Sequence, residues 1–476
     1  MRSFADIHCH PTLKPYGHSF PEKQNNKNPR QKSSAWFYDP PGLLEKALDL
    51  IGGIVKYRQS DFSAMGFGNT GIVCASLYPI ERGFFNGKLG TGDVTDVILN
   101  FATSVGKQRI DFVQSVTDYF PDLESEYKFL QELDGTVVRL ADRDAYQYVI
   151  AKNFAHLESI VNQDVTDNKK ANVIAVVVTI EGAHVFGCGI DPVNRPADPD
   201  YVLGNIEKVK SSWVHKPLFI TVAHHFYNEL CGHAESLSGI VKMAADQSYK
   251  MNTGFTELGK NVVRALLDNS SGKRILVDIK HMSRASRLEY FKLLDDEFKG
   301  EDIPVIVSHG AVMGNDKDRH FFLQADINFY DDEIIRVAKT NGLFGLQLDE
   351  RRIAARGDFE LKKSHGLERR KVLFHSATLV WRQIQHIAEL LDSEGLFCWG
   401  IQSMGSDYDG VINPINGYWT AENYPTLADY LLMQAHTYMN GDGKNLTQPF
   451  NKIDAEEIVS RVMGDNAYNF MSKYFR

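Results

Sequence analysis

Imidazoles and carboxylates recur at a small set of positions in this chain: His8-Cys9-His10, Glu181, His224-His225, His281, His309 and Asp407. These are the side chains expected to bind zinc and similar divalent ions. Side chains alternate along a strand, so His8 and His10 point the same way and can converge on one ion, while Cys9 faces the other side. Glu181 closes an almost wholly apolar run, where a carboxylate is costly unless paired or metal-bound. His281 and His309 offer nitrogens for a second ion. Glu181, with two oxygens, can bridge a pair of ions at the roughly 3.5–4 Å spacing of binuclear hydrolytic sites. Water between two such ions ionises near neutral pH. Asp407 is then the candidate base and proton carrier, and His224 is free to polarise a substrate carbonyl.

Each of these residues stands at the end of a short, β-branched, apolar run. Eight such runs are expected as buried parallel strands: Phe4–His8, Gly71–Tyr78, Val173–Glu181, Leu218–His224, Ile275–His281, Val305–His309, Leu343–Leu348 and Cys398–Asp407. Helical patterns lie between them, at Leu43–Tyr57, Val94–Phe120, Ala234–Met251, Thr256–Leu267, Arg284–Phe298 and Val372–Leu391. This alternation predicts an α/β fold, a (β/α)8 TIM barrel, with a doubly wound open sheet as competitor. A length of 476 residues allows about three domains, or one barrel enlarged by insertions. We expect a single barrel over 1–476, with extra length at 11–42, in a mostly helical insertion at 82–170, and in polar loops at 310–335 and 349–371. Apart from the helical insertion, these follow strand C-termini, the functional face of such a barrel.

The net charge is −9, from 52 basic and 61 acidic residues. That argues against nucleic acid, whose binders neutralise phosphate. Five scattered cysteines make no disulfide framework, and the start, Met1-Arg2-Ser3-Phe4-Ala5-Asp6, has no apolar signal core. No apolar stretch is long enough to cross a membrane. The expectation is a cytoplasmic protein with a small-molecule substrate, no nucleic-acid or membrane partner, and a homodimer as the assembly to be tested.

The segments carrying the chemistry resemble the amidohydrolase superfamily and, within it, the membrane (renal) dipeptidase family. They are Ala5-Asp6-Ile7-His8-Cys9-His10, Ile180-Glu181-Gly182-Ala183-His184, Thr221-Val222-Ala223-His224, Val277-Asp278-Ile279-Lys280-His281-Met282-Ser283, Pro304-Val305-Ile306-Val307-Ser308-His309 and Gly405-Ser406-Asp407-Tyr408-Asp409-Gly410-Val411. The resemblance runs from about residue 5 to residue 470. It implies an amidohydrolase-like barrel that cleaves dipeptide-like amides with two divalent metal ions, zinc in that family's pattern. Its ligands would be His8, His10, Glu181, His281 and His309, with His224 and Asp407 at the substrate.

The chain also departs from that family. His10 stands where the family usually has Asp, which removes one negative charge from the cluster. The family's carboxylate-binding Arg belongs in the loop after the sixth strand, where Arg319 and His320 have nearly the right offset but Ile327-Asn328 has the more similar context. After the seventh strand, Gln347-Leu348-Asp349-Glu350-Arg351-Arg352 replaces a substrate-facing aromatic. Arg351 or Arg352 could hold a substrate carboxylate; a solvated charge run is the plainer reading. A lactone, a cyclic amide or an N-acyl amino acid is the alternative substrate, and a non-catalytic metal-binding barrel the non-enzyme alternative. His184, His225 and His233 are further candidate groups near the site. Gly66-Phe67-Gly68-Asn69-Thr70-Gly71 spells a dinucleotide fingerprint but precedes a strand, so a turn is expected there. Asn269-Ser270-Ser271 and Asn445-Leu446-Thr447 match the glycosylation acceptor, which carries little weight in a cytoplasmic chain.

Overall fold

All eight apolar runs form strands, and they close into a ring. The computed structural model describes residues 3–46, 55–85, 100, 103–142, 144–162, 171–237, 242, 245–314, 319–355, 358 and 368–476. In chain order the strands are β1 (Phe4–Cys9), β2 (Thr70–Leu77), β3 (Val138–Arg139), β4 (Ala145–Ile150), β5 (Asn172–Glu181), β6 (Phe219–Thr221), β7 (Leu276–Asp278), β8 (Ile306–Gly310), β9 (Leu343–Leu346) and β10 (Gln402–Met404). The sheet runs β2-β1-β10-β9-β8-β7-β6-β5, and β2 pairs with β5 from Ile72↔Ala175 to Leu77↔Ile180. That last pairing closes a parallel barrel and excludes the open doubly wound sheet.

The inside of the ring is graded. Ala5, Ile7, Ile72, Cys74, Ala175, Val177, Phe219, Leu276, Ile306 and Leu343 form one apolar cluster with Ala467, Phe470, Met471 and Phe475 of the C-terminal segment. Polar groups follow toward the strand C-termini, and two buried aspartates tie neighbouring strands there. Asp6 accepts from Ser406 N at 3.0 Å, Ser406 Oγ at 2.6 Å, Tyr424 OH at 2.5 Å and His8 N at 3.1 Å. Asp278 accepts from Thr221 Oγ1 at 2.8 Å and from the Lys280 and Ser308 amides at 3.0 Å each. Both carboxyls are raised by burial, which these donors partly offset.

Three expected helices form with small shifts at their ends, at Glu257–Leu267, Arg284–Glu297 and Arg369–Ser393. Thr256 and Ser283 cap the first two by accepting the Gly259 and Ser286 amides. Three other expectations are corrected. The described part of Ala234–Met251 is almost wholly loop, because Gln247 bonds Ser236, Leu237 and the His225 carbonyl and folds the segment over the barrel mouth. Val94–Phe120 is not one helix: Lys107–Ser115 starts after Gly106 at φ +95° and stops at an extended Val116, while 94–99 and 101–102 lie outside the described residues. Of Leu43–Tyr57, residues 47–54 lie outside the description, and 55–57 are not helical because Lys14 Nζ holds the Val55 and Tyr57 carbonyls.

The 82–170 insertion also holds strands. β4 pairs parallel with the first half of β5, and alternate residues Tyr146, Tyr148 and Ile150 are buried. The Gly66–Gly71 segment is the end of a short helix and then, as expected, a turn into β2. All five cysteines are free and buried. No helix among the described residues is long and apolar enough to cross a membrane.

Asp278 has three donors and no substitute acceptor. Asp278→Ala should therefore lower the unfolding free energy by about 2–4 kcal/mol in urea titration, with Asp278→Asn costing less. An unchanged midpoint in the alanine variant would show that this aspartate does not tie β6, β7 and β8.

Candidate metal and substrate site

Several site residues lie out of phase with the strands that carry them, and local irregularities turn them inward. The β1–β2 register slips between Asp6 and Cys9, which brings both Ile7 and His8 inside. The β8–β9 register slips between Val307 and Gly310, around His309. His281 and Asp407 come three residues after the ends of short strands and lie in the left-handed region, at φ +64° and +62°. Bulges and left-handed residues are the usual means of re-aiming a side chain at a site. Gly182, at φ +88°, follows Glu181; a Cβ there would meet the His184 ring at 2.3 Å, so the turn that directs Glu181 requires glycine.

Glu181 sits at the centre of these groups. Its oxygens lie 3.5 Å from His8 Nε2, 3.0 Å from His10 Nε2, 3.3 Å from His281 Nε2, 3.6 Å from His309 Nε2 and 3.5 Å from His224 Nε2. Asp407 lies 3.8 Å from His8, 3.6 Å from His10 and 3.8 Å from His309. The sequence-predicted set of His8, His10, Glu181, His224, His281, His309 and Asp407 is thus brought together whole.

The electrostatics suit a cation. Burial alone would raise Glu181, but the surrounding imidazoles outweigh it and hold the carboxyl well below its usual range. Burial and neighbouring positive groups hold His281 and His309 well below theirs, leaving neutral nitrogens. Against burial, the adjacent Asp407 and Glu181 carboxylates push His10 up to about 10. Both ring nitrogens of His8, Nε2 of His10, Nε2 of His309 and Oε1 of Glu181 are buried without a hydrogen-bond partner. Such orphaned groups are rare and call for a ligand. Two compact triads, His8/His10/Asp407 and His8/Glu181/His309, have donor atoms within 4.8 Å of one another. Asp407, expected only as a base, is thus also within reach of an ion held by His8 and His10. A third triad joins His224, His225 and His281.

Sequence reasoning missed three residues. Glu81, in the loop after β2, accepts from the Phe226 amide at 3.0 Å and Tyr78 OH at 3.1 Å and lies 2.6 Å from His224 Nδ1. Burial opposes its ionisation, but His224 holds it down at about 2. Gln347 donates to Asp407 Oδ2 at 2.7 Å and accepts from Lys280 Nζ at 3.3 Å. Lys280 is buried, and burial together with the nearby Arg352 guanidinium lowers it to about 7. The local signals were slight: a lone Glu in a loop, and a Lys inside a strand run.

Lys280, Arg351 and Arg352 line a cavity over the cluster with His224, His225 and Asp407. Arg351 is engaged by Asp349 at 2.8 Å and donates to the Val411 carbonyl at 3.0 Å, which corrects the reading of a solvated charge run. Arg352 donates to the Ser236 carbonyl, and its own carbonyl accepts from Asn328 Nδ2 at 3.1 Å. Arg319 begins the short turn Arg319–Phe321, its side chain lying outside the description, and His320 beside it is exposed. Of the other histidines, His184 bonds the Pro79 carbonyl and His233 the Gln247 carbonyl, while His225 lies 2.6 Å from Ser236 Oγ on the cavity wall.

This ordered set on the C-terminal mouth of a barrel agrees with an independent family comparison. Residues 215–446 match the membrane dipeptidase family, peptidase family M19. The matched stretch carries His224, His281, His309 and Asp407, and the cluster completes it with His8, His10 and Glu181 from outside. Match and cluster together make the chain a metal-dependent hydrolase. No curated protein matches it at a significant level.

Among solved structures, a metallo peptidase from Rhodobacter sphaeroides, liganded with a phosphinate mimic of the dipeptide L-Ala-D-Ala, is 14% identical at TM-score 0.53 and covers 99% of each chain. The metallo peptidase dipeptidase AC is 14% identical at TM-score 0.50, covering 91% of this chain and 95% of its own. The probable dipeptidase PvdM from Pseudomonas aeruginosa is 11% identical at TM-score 0.50, covering 88% and 89%. These likenesses support the fold.

Protein stripped with chelator should gain unfolding temperature when zinc is returned, since an ion that binds only the folded state stabilises it. Metal analysis should then give close to two ions per chain, falling in His309→Ala. A stripped protein whose melting ignores every divalent ion would contradict the site.

Proposed function

We propose that the chain hydrolyses the amide bond of a dipeptide or dipeptide-like small molecule, using two divalent ions, zinc by ligand type. The observation that carries this reading is the ring of buried imidazole nitrogens without hydrogen-bond partners around Glu181. His8, His10, Glu181, His281 and His309 would hold the ions, with Asp407 in reach of the pair. Bound there, such ions supply an acidified water and an electrophile for the carbonyl oxygen.

The remaining steps belong to the chain's own groups. Gln347 holds one oxygen of Asp407, which leaves the other facing the cluster. Asp407 takes the proton of the attacking water and passes it to the leaving nitrogen as the C–N bond breaks. Glu81 fixes Nδ1 of His224, so that Nε2 is presented to the cavity to steady the carbonyl oxygen as charge develops there. The site around Arg352 is the candidate for the substrate's carboxylate, as Arg351 is already engaged. The dipeptide mimic bound by the Rhodobacter relative is consistent with a substrate of this size. Reduced, buried cysteines suit a cytoplasmic setting, which is part of the proposal.

Zinc-loaded protein should cleave members of an L,L- and L,D-dipeptide and dipeptide-like panel. Asp407→Asn should abolish turnover with metal retained, and full rates in that variant would remove Asp407 from the base role. His224→Ala should lower kcat by about 10²–10³-fold with KM little changed. Glu81→Gln, which keeps the hydrogen bond but not the charge, should fall between it and wild type; wild-type kcat in Glu81→Gln would show that the charge does not matter.

A further inference from the structure

The walls of the cavity differ sharply in charge. Three carboxylates line it among the described residues, Glu181, Asp349 and Asp407. Each is committed: Glu181 to the imidazoles, Asp349 to Arg351, and Asp407 to Gln347 and the histidines. Two basic side chains have no carboxylate within ion-pair distance among the described residues. Lys280 is 1% exposed and its ammonium has one long contact, to the Gln347 side-chain oxygen at 3.3 Å. Arg352 uses one donor, on the Ser236 carbonyl. A buried basic group without a counter-ion is costly to charge, so an anion arriving with the ligand would complement this pair.

Another part of the lining is apolar. Leu13, Ile80, Phe84, Phe85, Val105 and Leu237 belong to one hydrophobic cluster and line the same cavity. A free ammonium laid against that wall would lose its water and find no spare carboxylate among the described residues.

We propose that the substrate is an N-acyl amino acid, with an apolar acyl group on the Phe84–Phe85 wall and its carboxylate between Lys280 and Arg352, rather than a dipeptide with a free amine. This rests on the reading of the site as an amide hydrolase and names its substrate class. Water adds to the acyl carbon, the C–N bond breaks, and the products are an apolar carboxylic acid and a free amino acid.

The test uses three probes that differ by one group: 3-phenylpropanoyl-alanine, the dipeptide Phe-Ala, which adds only the ammonium, and 3-phenylpropanoyl-alaninamide, which removes only the carboxylate. Each is made with L- and D-alanine. Binding is measured by calorimetry on zinc-loaded Asp407→Asn, which leaves the compounds intact, and turnover on the zinc-loaded wild type. The acyl-alanine of one hand should bind at least about 10-fold more tightly than Phe-Ala and than the alaninamide, where an unpaired buried group sets the difference. In a background of Asp407→Asn, the added changes Lys280→Met and Arg352→Met should erase the preference for the carboxylate while zinc content and alaninamide binding persist.

Phe-Ala binding as tightly as the acyl-alanine, an alaninamide binding equally well, or no binding by any probe would each overturn the proposal. Absence of cleavage in the wild type despite the expected binding order would instead overturn the hydrolase reading and leave the charge preference standing.

Discussion

The arrangement depends on one buried carboxylate. Glu181 ends the longest barrel strand, 2% exposed, with five imidazole nitrogens within 3.6 Å of its oxygens. A lone ionised carboxylate in such a place would protonate or disrupt the fold. Here its charge is held by rings drawn from β1, β6, β7 and β8, so strands distant in sequence must meet around it. Barrel closure through β2 and β5 makes that possible. In an open sheet the histidines of β1 and those of β7 and β8 would not all face one point.

Closure alone would not aim them. Strict alternation sends every second side chain inward, and in phase at the upper end of the barrel stand Asp278, Lys280 and Gln347. His281, His309 and Asp407 are one residue out of that phase. Register slips and left-handed residues bring them in beside the in-phase set. Both phases then share one mouth: the displaced residues form the cluster, while Lys280 and Gln347 border the space above it. Asp278 and Asp6 accept the backbone and hydroxyl donors that these departures from regular pairing leave behind.

Much of this was legible in the sequence because its signals were local. An apolar β-branched run ending in His, Glu or Asp marks both a parallel strand and a candidate ligand; six of the eight runs end so, and the seven residues that the structure brings together lie at or just beyond those ends. What escaped depended on distant partners. Glu81 is 143 residues from His224, and nothing near it in sequence marks the contact. The Ala234–Met251 stretch has helical composition, but tertiary bonds to Gln247 override that weak preference. β4 did show an alternating Tyr-x-Tyr-x-Ile pattern, masked by the helices on either side; it forms because the first half of β5 has an edge that β6 is too short to cover. Arg351 and Arg352 read alike as a charge run, and only Asp349 and the Asn328 contact separate their roles.

The charge balance of the site connects these features. With an imidazole at position 10, the ring around Glu181 holds two carboxylates, Glu181 and Asp407, and Glu81 stands behind His224. An incoming pair of divalent ions would therefore bring more positive charge than those ligands cancel, and Lys280 and Arg352 add to that excess within the same cavity. Fields of one sign in a low-dielectric cleft favour a ligand of the opposite sign and oppose a cationic one. The imidazole at position 10 and the cations after β7 and β9 thus act in the same direction, which suits the anion of the proposed substrate.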